Sequence, residues 1–140
     1  MGRILAIDYG TKRTGLAVSD PLRLIAGALA TVETKQLERY LADYFVQNDV
    51  DVIVVGKPSQ MSGKLSETMR FIEPLVGRLR HAYPEKQVVM YDERFTSVMA
   101  HRTMLESGIG KKARQDKALV DRIAATIILQ SYMESQELQR

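Results

Sequence analysis

Residues 3–19 read Arg3-Ile4-Leu5-Ala6-Ile7-Asp8-Tyr9-Gly10-Thr11-Lys12-Arg13-Thr14-Gly15-Leu16-Ala17-Val18-Ser19. Two short apolar runs, 3–8 and 14–19, flank a polar turn that contains Gly10, which is the pattern of a β-hairpin. The first run ends in an acid, Asp8. A carboxylate at the end of a buried strand costs on the order of several kcal/mol unless something positive compensates it.

Outward from the hairpin, a third strand around 26–32 continues the meander, and residues 34–48 place Leu37, Tyr40, Leu41, Tyr44 and Phe45 at helical spacing. Asp51-Val52-Ile53-Val54-Val55-Gly56 is the continuous apolar run of a central strand buried on both faces. Gly56-Lys57-Pro58 is expected to stop it. A helix over about 65–82 follows, and Pro74 inside it should kink or divide it. Residues 87–92 form the last strand. Thr96 or Ser97 caps a short helix ending before Gly108, and the final helix covers about 117–136. The order predicts an α/β fold: a mixed five-stranded sheet, three antiparallel strands then two parallel, flanked by helices. With no repeat, low-complexity tract or linker, residues 1–140 read as a single domain.

Composition excludes several classes. The 140 residues are 45% hydrophobic and 26% charged, as in an ordinary globular protein that is long enough for one core. There is no cysteine, so disulfides and thiolate metal sites are out, which fits a reducing compartment. No signal-peptide pattern opens the chain, and no apolar run approaches the roughly 20 residues of a membrane span. The expected setting is cytoplasmic. No Walker A lysine and no Gly-x-Ser-x-Gly elbow is present, and His81 and His101 lack ligand spacing.

Three acids stand where carboxylates are usually avoided. Asp8 and Glu93 both fall at carboxyl ends of predicted strands, where ligands bind in open α/β sheets. Asp121 belongs to the last helix. With Val120 at 0° and about 100° per residue, Ala124 lies near 40°, Ile128 near 80° and Tyr132 near 120°, so Asp121 near 100° points into the packed side and Arg122 points out. Each acid also has an ordinary reading. Asp8 closes a tight turn onto the Gly10 amide, Glu93 or Asp92 is a solvated strand end, and Asp121 answers the helix dipole. The pleat puts Glu93 with Val89 and Tyr91, and Asp92 with Val88 and Met90, without saying which face meets the cleft. Convergent carboxylates without His or Cys suit Mg²⁺ or Mn²⁺, and a two-metal site of this kind serves phosphodiester chemistry.

The net charge of +3 equals the local excess of residues 108–117, where Lys111, Lys112, Arg114 and Lys117 outnumber Asp116. This basic stretch directly precedes Asp121 and suits a nucleic-acid backbone, or is simply a solvated loop. Thr11, Lys12 and Arg13 at the hairpin tip could hold a phosphate near Asp8, and Arg94 beside Glu93 either contacts phosphate or pairs with a carboxylate. Residues 56–63 border the cleft or merely join strand to helix. Aromatic content of 6% with no Trp argues against extensive base stacking and favours a structured RNA or branched DNA.

The run from Asp8 to Asp20 resembles the opening of the YqgF/RuvX family. Gly56-Lys57-Pro58 through Gly63, Asp92-Glu93-Arg94-Phe95-Thr96-Ser97, and Asp121 with Ile123-Ala124-Ala125 match the same family in order. The resemblance implies a ribonuclease H-like fold and a bacterial cytoplasmic nuclease that processes the 5′ end of pre-16S ribosomal RNA, related to RuvC-type Holliday-junction resolvases. It also implies Asp8, Glu93 and Asp121 as the catalytic, metal-holding set, which favours Glu93 over Asp92. Two ions would be held once substrate phosphates join the three carboxylates. RuvC-type enzymes carry a further acid one turn before the last Asp. Here that position is Ala118, and Asp116 lies on another face, which weighs against efficient junction cleavage.

The sequence thus predicts a metal-dependent endonuclease with Lys111, Lys112, Arg114 and Lys117 on the substrate backbone. A resolvase would need paired sites and so a dimer, and the expected state is a monomer or weak homodimer. Two rivals remain open. Asp8-Tyr9-Gly10-Thr11 also resembles the phosphate hairpin of actin-like and sugar-kinase ATPases, which need two such lobes where this length supplies one. A binding module for nucleic acid or ribosome assembly, with idle acids, is the other.

Overall fold

The structure is a computed structural model that describes residues 2–58, 64–93 and 117–138. Five strands form one sheet: β1 (Arg3–Asp8), β2 (Arg13–Ser19), β3 (Ala26–Glu33), β4 (Val50–Lys57) and β5 (Gln87–Asp92). Their spatial order is β3-β2-β1-β4-β5, with β1, β2 and β3 antiparallel and β1, β4 and β5 parallel. This is the mixed sheet expected from the sequence. The unbroken apolar runs of β1 and β4 have their cause here: both strands are central and both of their faces are covered.

On one face lie α1 (Leu37–Gln47), entered through a 3₁₀ turn over Thr34–Gln36, and α2 (Lys64–Ala82). Leu37, Leu41, Met69, Ile72, Leu75, Val76 and Leu79 pack there against Leu5, Ile7, Leu16, Ile53 and Val55. Each such side chain contributes about 1.5–3 kcal/mol by leaving water. The opposite face is covered by α3 (Lys117–Leu138), whose Ala125, Ile128, Leu129, Tyr132 and Met133 meet Ile4, Ala6, Ala17, Val52 and Val54. Tyr91 of β5 fixes this helix through its hydroxyl on Ser131 Oγ at 2.9 Å and an edge-to-face contact with Tyr132.

Two expectations are corrected. Pro74 does not divide α2, which runs unbroken past it. Pro74 and Arg70, whose carbonyl loses its helical partner, are both solvent-exposed, so water replaces the missing bond while the buried stripe continues. The stop expected at Gly56-Lys57-Pro58 holds: β4 ends at Lys57, with Gly56 still paired to Tyr91. The apolar arithmetic for α3 also fails at its start: Val120 is exposed and Arg122 is half-buried. The roll of α3 is set there by a close backbone approach to β2 rather than by its apolar side chains. The short helix expected before Gly108 lies outside the described residues.

Candidate active site

The carboxyl ends of β1, β4 and β5 lie together at one end of the sheet, and the start of α3 reaches the same end. Alternation along β1 sends Ile4, Ala6 and Asp8 to the α3 face. Asp8 pairs with Gly15 of β2. The register Ile7 opposite Val55 carries on to put Asp8 level with Gly56 of β4. Val89 and Tyr91 also face α3, and Glu93 follows in the same alternation. Asp92 shares the other face with Val88 and is in register with Lys57. The pleat alone left that choice open, and the position of α3 makes Glu93 the acid on the Asp8 side.

Two strand glycines create the space. A Cβ on Gly15 would stand 2.0 Å from the carbonyl oxygen of Asp121, and one on Gly56 would stand 2.6 Å from Ile128 Cδ1 and 3.3 Å from Glu93 Oε1. The missing side chains let the helix backbone settle onto β2, bringing Asp121 over the Asp8–Gly15 pair. Sequence reasoning passed over Gly15 and used Gly56 only as part of the Gly56-Lys57-Pro58 stop. A glycine inside a strand marks close backbone approach, and that was the available signal. Gly56→Ala is expected to cost only about 1 kcal/mol, because the end of the Ile128 side chain can move. Its Cβ also presses on Glu93, so cleavage should fall further than stability, a split that activity measured beside urea melts would reveal.

Electrostatics single out Asp8. Burial, then the Glu93 and Asp121 carboxylates, push its pKa from the usual 3.8 up to about 7. Among the described residues no donor reaches its carboxylate, so the turn-closing bond to the Gly10 amide is not made. Glu93 is also raised, first by burial and then by Asp92. Asp121 is engaged: Arg13 Nε donates to its Oδ2 at 2.9 Å. Among the described residues no three acidic or imidazole groups close into a ready-made metal shell.

The hairpin tip stands at the rim with Thr11, Lys12 and Arg13 exposed. Its shape is fixed from behind by Thr34, a residue the sequence reading did not single out. The Thr34 hydroxyl donates to the Gly10 carbonyl, its amide donates to Lys12 O at 3.0 Å, and its Oγ1 lies 2.8 Å from that of Thr14. Arg94, Lys111, Lys112 and Arg114 lie outside the described residues. Lys117 opens α3. The first turn of that helix is tied to β3 by the Thr31 hydroxyl, which donates to the carbonyl of Ala118.

Comparison with known proteins bears on this arrangement. The model of a family described as "RuvX: Holliday junction resolvase" matches residues 2–135. A Bacteroides thetaiotaomicron protein is 57% identical over 135 residues, covering 96% of this chain and 98% of that one. A Bacteroides fragilis protein is 55% identical over 138 residues, covering 99% and 100%. Both bear the name "Putative pre-16S rRNA nuclease". Among solved structures, T. thermophilus RuvC in complex with a Holliday junction substrate matches with a TM-score of 0.60 over 96% of each chain, at 18% identity. That likeness shows the fold, the ribonuclease H-like arrangement expected from the sequence.

Proposed function

The chain belongs to the RuvX family, and from that premise we propose that it is a metal-dependent endonuclease processing the 5′ end of pre-16S ribosomal RNA. It is a phosphodiester-cleaving hydrolase. One observation carries the assignment of the site: a half-buried Asp8 carboxylate, with no described donor, on the same sheet face as Glu93 and beneath Asp121. Carboxylates crowded together and partly out of water are costly by themselves and become favourable against a cation.

The donor set fits an oxygen-seeking divalent ion, Mg²⁺ or Mn²⁺, since the acids are three carboxylates with no thiolate or imidazole among them. Asp8, Glu93 and Asp121 would hold the ions, which when bound supply an activated water and charge neutralisation at the phosphate. The chain's own cations do the rest. Thr11 and Lys12, preset by Thr34, face the substrate backbone beside Asp8. We assign Lys111, Lys112, Arg114, Lys117 and Arg94 to the substrate backbone, a contribution that is mostly sequence-independent and weakened by salt. Among the described residues no helix is long and apolar enough to cross a membrane, and a cytoplasmic nuclease acting on structured RNA as a monomer or weak homodimer is the reading we adopt.

The family's description supports a second reading, a Holliday-junction resolvase, against which Ala118 stands where RuvC-type enzymes carry a fourth acid. The test is cleavage of a pre-16S 5′-leader fragment and of a four-way DNA junction, each with Mg²⁺ or Mn²⁺. Metal-dependent cutting of the RNA alone is expected. Paired cuts in the junction would transfer the assignment to the resolvase, and binding without cutting on either substrate would leave a binding module.

A further inference from the structure

The contact between Arg13 and Asp121 joins two residues that the nuclease reading uses for different purposes, one for phosphate and one for metal. Arg13 shares the α3 face with Gly15 and Ala17 by strand alternation, so its side chain reaches over the Gly15 gap onto Asp121. Only Nε is engaged, at 2.9 Å from Oδ2. The two terminal guanidinium nitrogens have no partner among the described residues, and the Arg13 side chain is 41% exposed against 23% for Asp121. A fork in this pose has its phosphate-binding end turned to solvent at the rim of the site.

The strength of the pair decides what it can do. A part-exposed ion pair contributes about 0.2–1 kcal/mol, far less than a buried one. It is therefore a holding contact and not a lock. It neutralises Asp121 beside two other carboxylates, yet a divalent ion with several oxygen ligands can take that oxygen from it.

We propose that Arg13 is the displaceable counter-ion of the carboxylate cluster. It keeps Asp121 paired while the site carries no divalent ion, and on loading it gives up Oδ2 and turns its guanidinium to a substrate phosphate. Metal loading and backbone capture are then coupled through one side chain. The inference rests on the nuclease reading of Asp8, Glu93 and Asp121, and makes Arg13 a positioning residue that becomes a substrate contact.

The test is Mn²⁺ binding by calorimetry in the absence of nucleic acid, on wild type, Arg13→Gln, Arg13→Lys and Asp8→Asn, followed by the KM and kcat of the RNA reaction. Removing the competitor should make Arg13→Gln bind Mn²⁺ about two- to fivefold more tightly, the size of a part-exposed ion pair. Its KM should rise, by roughly tenfold for a lost charged phosphate contact, with kcat changing less. Arg13→Lys should recover part of the KM loss. Equal or weaker Mn²⁺ binding in folded Arg13→Gln, with binding abolished in Asp8→Asn, would overturn the counter-ion role and leave the nuclease site standing. Absence of Mn²⁺ binding in wild type would remove both, and Asp8→Asn would then match wild type.

Discussion

Asp8→Asn should eliminate metal-dependent cleavage, by about a thousandfold or more, and at the same time make the metal-free protein more stable at pH 8. The activity loss follows from removing a charged ligand at the phosphate, where single electrostatic contributors are worth roughly 10²–10³ or more. The stability gain follows from linkage. The Asp8 pKa is about 7 in the folded chain against an ordinary 3.8, so folding favours its protonated form. Stability from this group is fully present below about 3.8 and is lost as pH rises through about 7. Asparagine does not titrate, so the variant keeps what wild type loses. A shift of this size is worth a few kcal/mol, at about 1.4 kcal/mol per unit. Melting temperatures in EDTA should diverge between pH 4 and pH 8, the variant ending several degrees higher, and Mg²⁺ should raise wild type alone. Equal melting curves at pH 8 would mean that Asp8 carries no strain, and the site assignment would lose its main physical support.

Gly15→Ala is the second change with a large expected effect. The added Cβ falls 2.0 Å from the Asp121 oxygen and 2.4 Å from its carbonyl carbon, both backbone atoms of α3. No rotamer change relieves such a contact, so the helix must lift from β2. The expected cost is about 3 kcal/mol, at the upper end of overpacking penalties. Asp121 moves with the helix, and a displacement of about 1 Å in a catalytic constellation is worth on the order of 10²-fold in rate. The control is Gly27→Ala on the neighbouring strand, where the nearest atom is Val18 O at 3.8 Å and little should change. Unfolding in urea, with cleavage measured well below the midpoint, separates the two effects. A Gly15→Ala protein as stable and as active as the Gly27→Ala control would show that the close approach of α3 is dispensable.

Much of this arrangement can be read from local pattern, and what cannot is long-range. The apolar runs 3–8 and 51–56 declare central strands because burial on both faces removes the usual alternation, whereas 87–92 is the edge strand β5 and keeps an exposed Met90. The acids at their ends are equally visible. Whether Asp92 or Glu93 faces the cleft depends on which side of the sheet a distant helix covers, a fact outside any window around residue 92. The same holds for Gly15 and Gly56, whose neighbours Asp121 and Ile128 come from α3. Arg13 was expected on phosphate from its place at a turn, and nothing near it in sequence announces a partner 108 residues away. Pro74, expected to kink or divide α2, does not divide it, and the reason is local. Its penalty was charged in full although the affected carbonyl is on the wet side of α2.

The span between Arg13 and Asp121 also bears on assembly of the site. β1 and β2 carry Asp8 and Arg13, while Asp121 belongs to α3, so the cluster is closed by contacts of very high sequence separation, which carry a large loop-closure entropy. Without α3, Ala6, Ala17 and Val54 would lack their cover and the third carboxylate would be missing from the site. On the proposed site, a chain in which α3 is not docked holds two acids and no working centre. On the proposed function, cleavage then requires the last helix to be in place.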